Sequence, residues 1–222
     1  MLPIEKLVTA GEHPFIFNGN VGALEAVLSV PDSSPKMMFA IIGHPHSQQG
    51  GTMNNKVVTT LVKVFKELNI PSIRFNFRGV GQSEGIYDHG IGESEDMLSL
   101  VKEIQTKTAI NHFIFAGFSF GSYVAYRVAA QHPHQLLLTV APAVTHYDYQ
   151  EFDSVPSPWI VAQGDIDDVV PEIKVLDFVA SIQKPMTLLR FQQTGHFFHG
   201  RLTELKSRLI DSIRDQVKLI CN

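Results

Sequence analysis

The sequence predicts an α/β fold, with a mostly parallel sheet that opens on an N-terminal antiparallel hairpin and carries helices on both faces. Three observations lead there. Strand-like and helix-like segments alternate along the chain, as they do where parallel strands are joined by crossover helices. Near the start, two strand-like runs, about Pro14 to Asn18 and Gly22 to Val30, are separated only by Gly19-Asn20-Val21. So short a connection suits an antiparallel hairpin at a sheet edge. Finally, Gly117-Phe118-Ser119-Phe120-Gly121 joins a strand-like run to a helix-like one with almost nothing between them.

Parallel strands are expected near Met37 to Ile42, Ser72 to Phe77, His112 to Ala116, Leu136 to Ala141, Trp159 to Gln163 and Met186 to Phe191. Each is a short apolar run bounded by turn residues. Helices fill the gaps. One is expected from Thr52 to Leu68, with Val57, Leu61, Val62, Phe65 and Leu68 inward, and another from Ser122 to Gln131. The last is the clearest: Leu202, Leu205, Leu209, Ile213, Val217 and Ile220 recur at three- and four-residue spacing and make one core-facing stripe. No repeat, linker or low-complexity stretch divides the chain, so residues 1–222 read as a single domain.

Composition narrows the function classes. At 222 residues and 44% hydrophobic, the chain can bury a core of enzyme size. Its net charge of −4 is mild and offers no basic patch, so no nucleic-acid partner is expected. Cys221 is the only cysteine, which leaves no disulfide framework and no thiolate metal site. The N-terminus lacks a basic segment followed by a long apolar one. Apolar stretches fall short of a membrane span and are broken by Thr139 and Pro142. A cytoplasmic protein with no membrane partner is the expectation; the oligomeric state is open.

Chemistry concentrates at Ser119. A strand-to-helix turn this tight would make side chains two residues either side of the serine collide, so glycine is required at 117 and 121. The hydroxyl is then exposed, and the following helix aims its free N–H groups at the place where an oxyanion would form. Two further strand ends carry partners. Trp159 to Gln163 is followed by Gly164-Asp165-Ile166-Asp167-Asp168, and Met186 to Phe191 by Thr194-Gly195-His196. From the residues alone, Asp165, Asp167 and Asp168 are all candidates, and any of them could instead serve the loop or the helix that starts near Pro171. His199 competes with His196. With His44 and His46 these histidines also raise a metal site, although a His-x-His pair with no acid close behind lacks the usual ligand clustering. No metal and no cofactor are expected.

Taken together, these segments resemble the α/β-hydrolase superfamily, in particular its small bacterial lidless serine hydrolases of the dienelactone-hydrolase-like kind. The likeness covers nearly the whole chain: the elbow, Gly43-His44-Pro45-His46 after the third strand, and Gly50-Gly51-Thr52 opening the next helix. Arg74-Phe75-Asn76-Phe77-Arg78-Gly79-Val80-Gly81-Gln82-Ser83 is similar to an element that usually reads D-x-R-G-x-G-x-S, with Asn76 in place of the acid. The resemblance implies an α/β-hydrolase fold without a cap domain, since the Trp159 strand follows Leu136 to Val144 too soon for an inserted lid. It also implies a chain order of nucleophile, acid, base, carried by Ser119, Asp167 and His196. The oxyanion donors would be the N–H of Phe120 and, because Pro45 has none, the N–H of His46.

The activity so implied is hydrolysis of a carboxylic ester or thioester through an acyl-enzyme on a small acyl substrate. A peptidase or amide hydrolase with the same three residues, or a hydrolase-like binding protein without turnover, are the alternatives. Other features read as structural. Gly79-Val80-Gly81 is a near miss for a dinucleotide loop, and Arg78 and Ser83 are expected to brace their own loop. Tyr147, Tyr149 and Val155-Pro156-Ser157-Pro158 either wall the site or pack their loop. No substrate-binding residue is identified from the sequence.

Overall fold

The computed structural model describes residues 1–33 and 37–220, with side chains as far as Gln216. Eight strands form one sheet in the order β1-β2-β4-β3-β5-β6-β7-β8. They are β1 (Gly11–Gly19), β2 (Gly22–Val30), β3 (Phe39–Gly43), β4 (Ser72–Phe75), β5 (Phe113–Phe118), β6 (Leu136–Val140), β7 (Trp159–Gly164) and β8 (Met186–Phe191). β1 and β2 pair antiparallel, and β2 meets β4 antiparallel; from β4 to β8 all pairing is parallel. Among the described residues four α-helices connect strands, α1 (Lys56–Glu67), α2 (Ile91–Thr108), α3 (Phe120–Gln131) and α4 (Glu172–Ser181), and α5 (Leu202–Ile220) follows β8.

Alternation along the central strands splits the core in two. Phe39, Ile41, Phe113 and Phe115 face one side, where they pack with Met97 and Leu100 of α2 and Val124 and Tyr126 of α3. Ala40, Ile42, Ile114 and Ala116 face the other, against Val58, Leu61 and Phe65 of α1 and Leu205, Leu209 and Ile213 of α5. The stripe expected on the last helix is therefore core at those three positions, and Leu202 is partly buried against them. The side chains of Val217 and Ile220, like Cys221, lie outside the described residues.

Several element ends differ from expectation. The hairpin ladder closes at Gly19 opposite Gly22, so β1 runs the full length of β2 and the loop is only Asn20 and Val21. β4 ends at Phe75, two residues early; the Asn76 N–H still donates to Glu25 O of β2 at 2.9 Å, and at Phe77 the chain leaves the sheet, its N–H donating to His44 Nε2 at 2.9 Å. β5 runs two residues further than expected, pairing Gly117 with Thr139 and Phe118 with Val140, so the strand leads straight into the serine. α1 starts at Lys56 rather than near Thr52. Asn55 is its N-cap, accepting from the Val57 N–H at 2.8 Å, and the residues before it form a turn.

Candidate active site

Parallel α/β sheets gather ligand sites beyond the C-terminal ends of their strands, and here five such ends converge. β5 ends into Ser119, which has φ 53° and ψ −120°, and α3 begins at the next residue. A β-carbon on Gly117 would lie 2.0 Å from the Gly121 carbonyl oxygen, and one on Gly121 would lie 2.3 Å from the carbonyl carbon of Gly43. The first would push β5 from α3, the second α3 from the end of β3. The positive φ of a non-glycine residue is a strained arrangement that persists only when its surroundings hold it; here both ends of the turn are held by packed backbone.

The loop after β7 brings in Asp167, which is 5% exposed. Its Oδ1 accepts from the N–H groups of Val169 at 2.9 Å and Val170 at 2.7 Å, while Oδ2 accepts from Gln163 Nε2 at 3.2 Å. The same Oδ2 lies 2.9 Å from Nδ1 of His196. His196 Nε2 is in turn 3.0 Å from Ser119 Oγ. A carboxylate can only accept, so Nδ1 carries the proton and, in the neutral ring, Nε2 is left to accept from the serine hydroxyl. Burial works to raise the Asp167 carboxyl; the bonds from His196, Val170 and Val169 outweigh it and hold the pKa below the ordinary aspartate value.

The competing candidates fall elsewhere. Asp165 accepts from the Thr194 N–H at 3.2 Å and so ties the loops after β7 and β8 together. Asp168 and His199 are exposed. Among the described residues no group of three or more His, Cys, Asp or Glu side chains comes together as a metal site. Two supporting residues escaped the sequence reading. Gln163 is fully buried, and its amide holds both Asp167 and the carbonyl of Val170 at 3.0 Å; a lone polar residue at the end of an apolar strand was the available signal. Phe198 is buried against Phe191 with ring centroids 5.3 Å apart, and it anchors the loop that carries His196.

His44 and His46 have different tasks. His44 is fully buried, which lowers its pKa to about 3 and keeps the ring neutral. Since Nε2 accepts from Phe77, Nδ1 must donate, and it lies 2.6 Å from the carbonyl oxygen of Pro45. The Pro45–His46 peptide is trans, so its C=O and N–H point to opposite sides. By holding the carbonyl, His44 directs the His46 N–H away from itself. His46, Phe120 and Ser119 line one hollow, and neither N–H has a hydrogen-bond partner among the described residues. Both donors are thus available to an oxygen bound beside Ser119. The His46 ring is partly exposed; burial, then the nearby His146 and His89, keep its pKa below the usual imidazole value.

The segment after β4 is structural. Arg78 Nε donates to Asp96 at 2.8 Å and its terminal nitrogen to Gly92 O at 2.8 Å, all buried. Ser83 Oγ donates to Asn76 O at 2.8 Å. Asn76 still performs a linking role: its Oδ1 accepts from the Met53 N–H at 2.8 Å, while its amide donates to Glu25. Of the candidate walls, Tyr147 reaches the hollow beside Ser119. Tyr149 is buried, its hydroxyl bonded to Ser122 Oγ at 2.6 Å, and residues 155–158 line neither hollow at the serine.

Comparison with known proteins agrees with this architecture. A lidless α/β serine hydrolase of Xanthomonas campestris matches with a TM-score of 0.89 and 36% identity, over 93% of this chain and 95% of that one. An α/β serine hydrolase homologue from Coxiella burnetii matches with a TM-score of 0.88 and 41% identity, over 92% of this chain and 98% of that one. This chain belongs to the lidless α/β serine hydrolases. An uncharacterised protein of Rickettsia prowazekii is 30% identical over 205 residues, covering 88% of this chain and 86% of its own length. No family model matches the sequence. In this hydrolase the connection from β6 to β7 is residues 141–158, which holds no inserted domain.

Proposed function

We propose that this hydrolase cleaves carboxylic esters or thioesters through an acyl-enzyme on Ser119. The observation that carries the reading is the unbroken row from Asp167 Oδ2 to His196 Nδ1 at 2.9 Å and from His196 Nε2 to Ser119 Oγ at 3.0 Å. In the proposed reaction the serine oxygen attacks the acyl carbon as His196 Nε2 takes its proton. Asp167 holds the imidazole in the required tautomer and stabilises the imidazolium. The N–H groups of Phe120 and His46 receive the developing oxyanion. His196 then returns the proton to the departing alcohol or thiol. A water repeats the sequence in reverse, with His196 as base, and releases the acid and the free serine.

The proposal extends to a single-domain enzyme acting in the cytoplasm on a small acyl substrate. A panel of p-nitrophenyl esters, acyl thioesters and anilides, run with the parent protein and Ser119→Ala, tests the reaction class. Ester or thioester turnover that disappears in Ser119→Ala is the expected result. Turnover confined to anilides would move the enzyme to the amide hydrolases, and no turnover of any class would leave a binding protein.

A further inference from the structure

Two hollows meet at Ser119. One, of about 100 Å³, is lined by His196, Phe197, Gly50, Gly51 and Asn55. The other, of about 120 Å³, is lined by Phe120, Ala143, Tyr147 and Val170 but not by His196. In acyl transfer His196 must reach the leaving oxygen to protonate it, so the leaving group belongs in the hollow that His196 lines. The acyl chain belongs in the other. At about 120 Å³ this hollow is small and suits a short acyl group.

Beyond that hollow lies an open groove of about 640 Å³, floored by Val144, Tyr149 and Phe178 and edged by Lys174. Tyr147 lines both spaces. Its ring is fixed on three sides. The hydroxyl is 3.0 Å from the hydroxyl of Tyr87, one face stacks on Tyr123 at 4.6 Å and 22°, and Phe120 packs at 5.4 Å.

We propose, on the basis of the hydrolase reading above, that Tyr147 is the end wall of the acyl subsite and restricts the enzyme to acyl chains of a few carbons. Without that ring the hollow would open into the groove, and a longer chain would gain cover from Phe178 and Val144. The gain is about fourfold in kcat/KM for each methylene newly buried.

The test is the kcat/KM ratio of p-nitrophenyl octanoate to acetate, measured below the solubility limit of each ester. The parent enzyme should favour acetate over octanoate. Tyr147→Ala should raise the octanoate-to-acetate ratio on the order of 10-fold or more, while Tyr147→Phe, which keeps the ring, should hold the parent ratio. Circular dichroism reports folding; if the alanine variant does not fold, Tyr147→Leu carries the same expectation in smaller measure. An unchanged ratio in folded Tyr147→Ala, or a parent enzyme that already prefers octanoate, overturns the wall while leaving ester hydrolysis intact. A parent protein that cleaves only thioesters is tested by the same ratio with octanoyl and acetyl thioesters; one that cleaves neither esters nor thioesters removes the reading beneath, and the wall falls with it.

Discussion

At the scale of single residues, distinctions that sequence left open turn on geometry. Asp165, Asp167 and Asp168 are equivalent as letters, yet only Asp167 turns an oxygen to the imidazole while two backbone N–H groups hold the other. His196 and His199 differ in the same way: His196 is buried between Asp167 and Ser119, whereas His199, one residue past the buried Phe198, is exposed. We predict that His196→Ala lowers ester kcat/KM by about 10³-fold or more and that Asp167→Ala also removes most turnover, whereas His199→Ala and Asp168→Ala stay within a few-fold of the parent. Steady-state kinetics on one soluble ester decide it. A dead His199→Ala beside a normal His196→Ala would contradict the assignment.

At the scale of elements, the strands, the hairpin, the elbow and the last helix were legible because their signals are local: apolar periodicity and glycines at a tight turn. Some element ends were not, because distant partners set them. The early end of β4 shows why, since the Phe77 N–H leaves the ladder for His44, 33 residues away in sequence. That bond makes His44 the link between the β3 loop and β4, and it carries a pH signature. The folded pKa of about 3 lies below the ordinary histidine value near 6.5. The folded state therefore resists protonation: the contribution is complete above about pH 6.5 and is lost progressively as pH falls toward 3. Asp167, also depressed, adds a loss only below the ordinary aspartate range. We predict that His44→Gln flattens the fall in unfolding free energy between pH 7 and 5, measured by urea denaturation. The slope should not vanish, because burial also lowers His46 and His134. Removing the imidazole also frees the Pro45 carbonyl, so kcat should fall with KM little changed. An unchanged pH slope together with unchanged kcat would contradict the role given to His44.

At the scale of the whole molecule, the sheet order brings together side chains from segments far apart in sequence. Ser119 and His196 are separated by 77 positions and meet because β5 and β8 both end on the same edge of a parallel sheet. Chain order hinted at that meeting, but the walls of the site could not be read the same way. Tyr147 and Tyr149 stand two residues apart, and only the course of the β6–β7 connection sends one to the hollow and the other into the core. That connection is also too short to hold a cap; Ser119 is 9% exposed and lines the two hollows through which a small reagent would reach it. Among the described residues no helix is long and apolar enough to cross a membrane. The central claim is that Ser119 is the nucleophile, and a small soluble fluorophosphonate tests it most directly. Intact-mass and peptide mass spectrometry of the treated protein should find one adduct, on Ser119, formed at a rate that drops sharply in His196→Ala and absent in Ser119→Ala. An adduct on another residue, or labelling that persists in Ser119→Ala, would contradict the account.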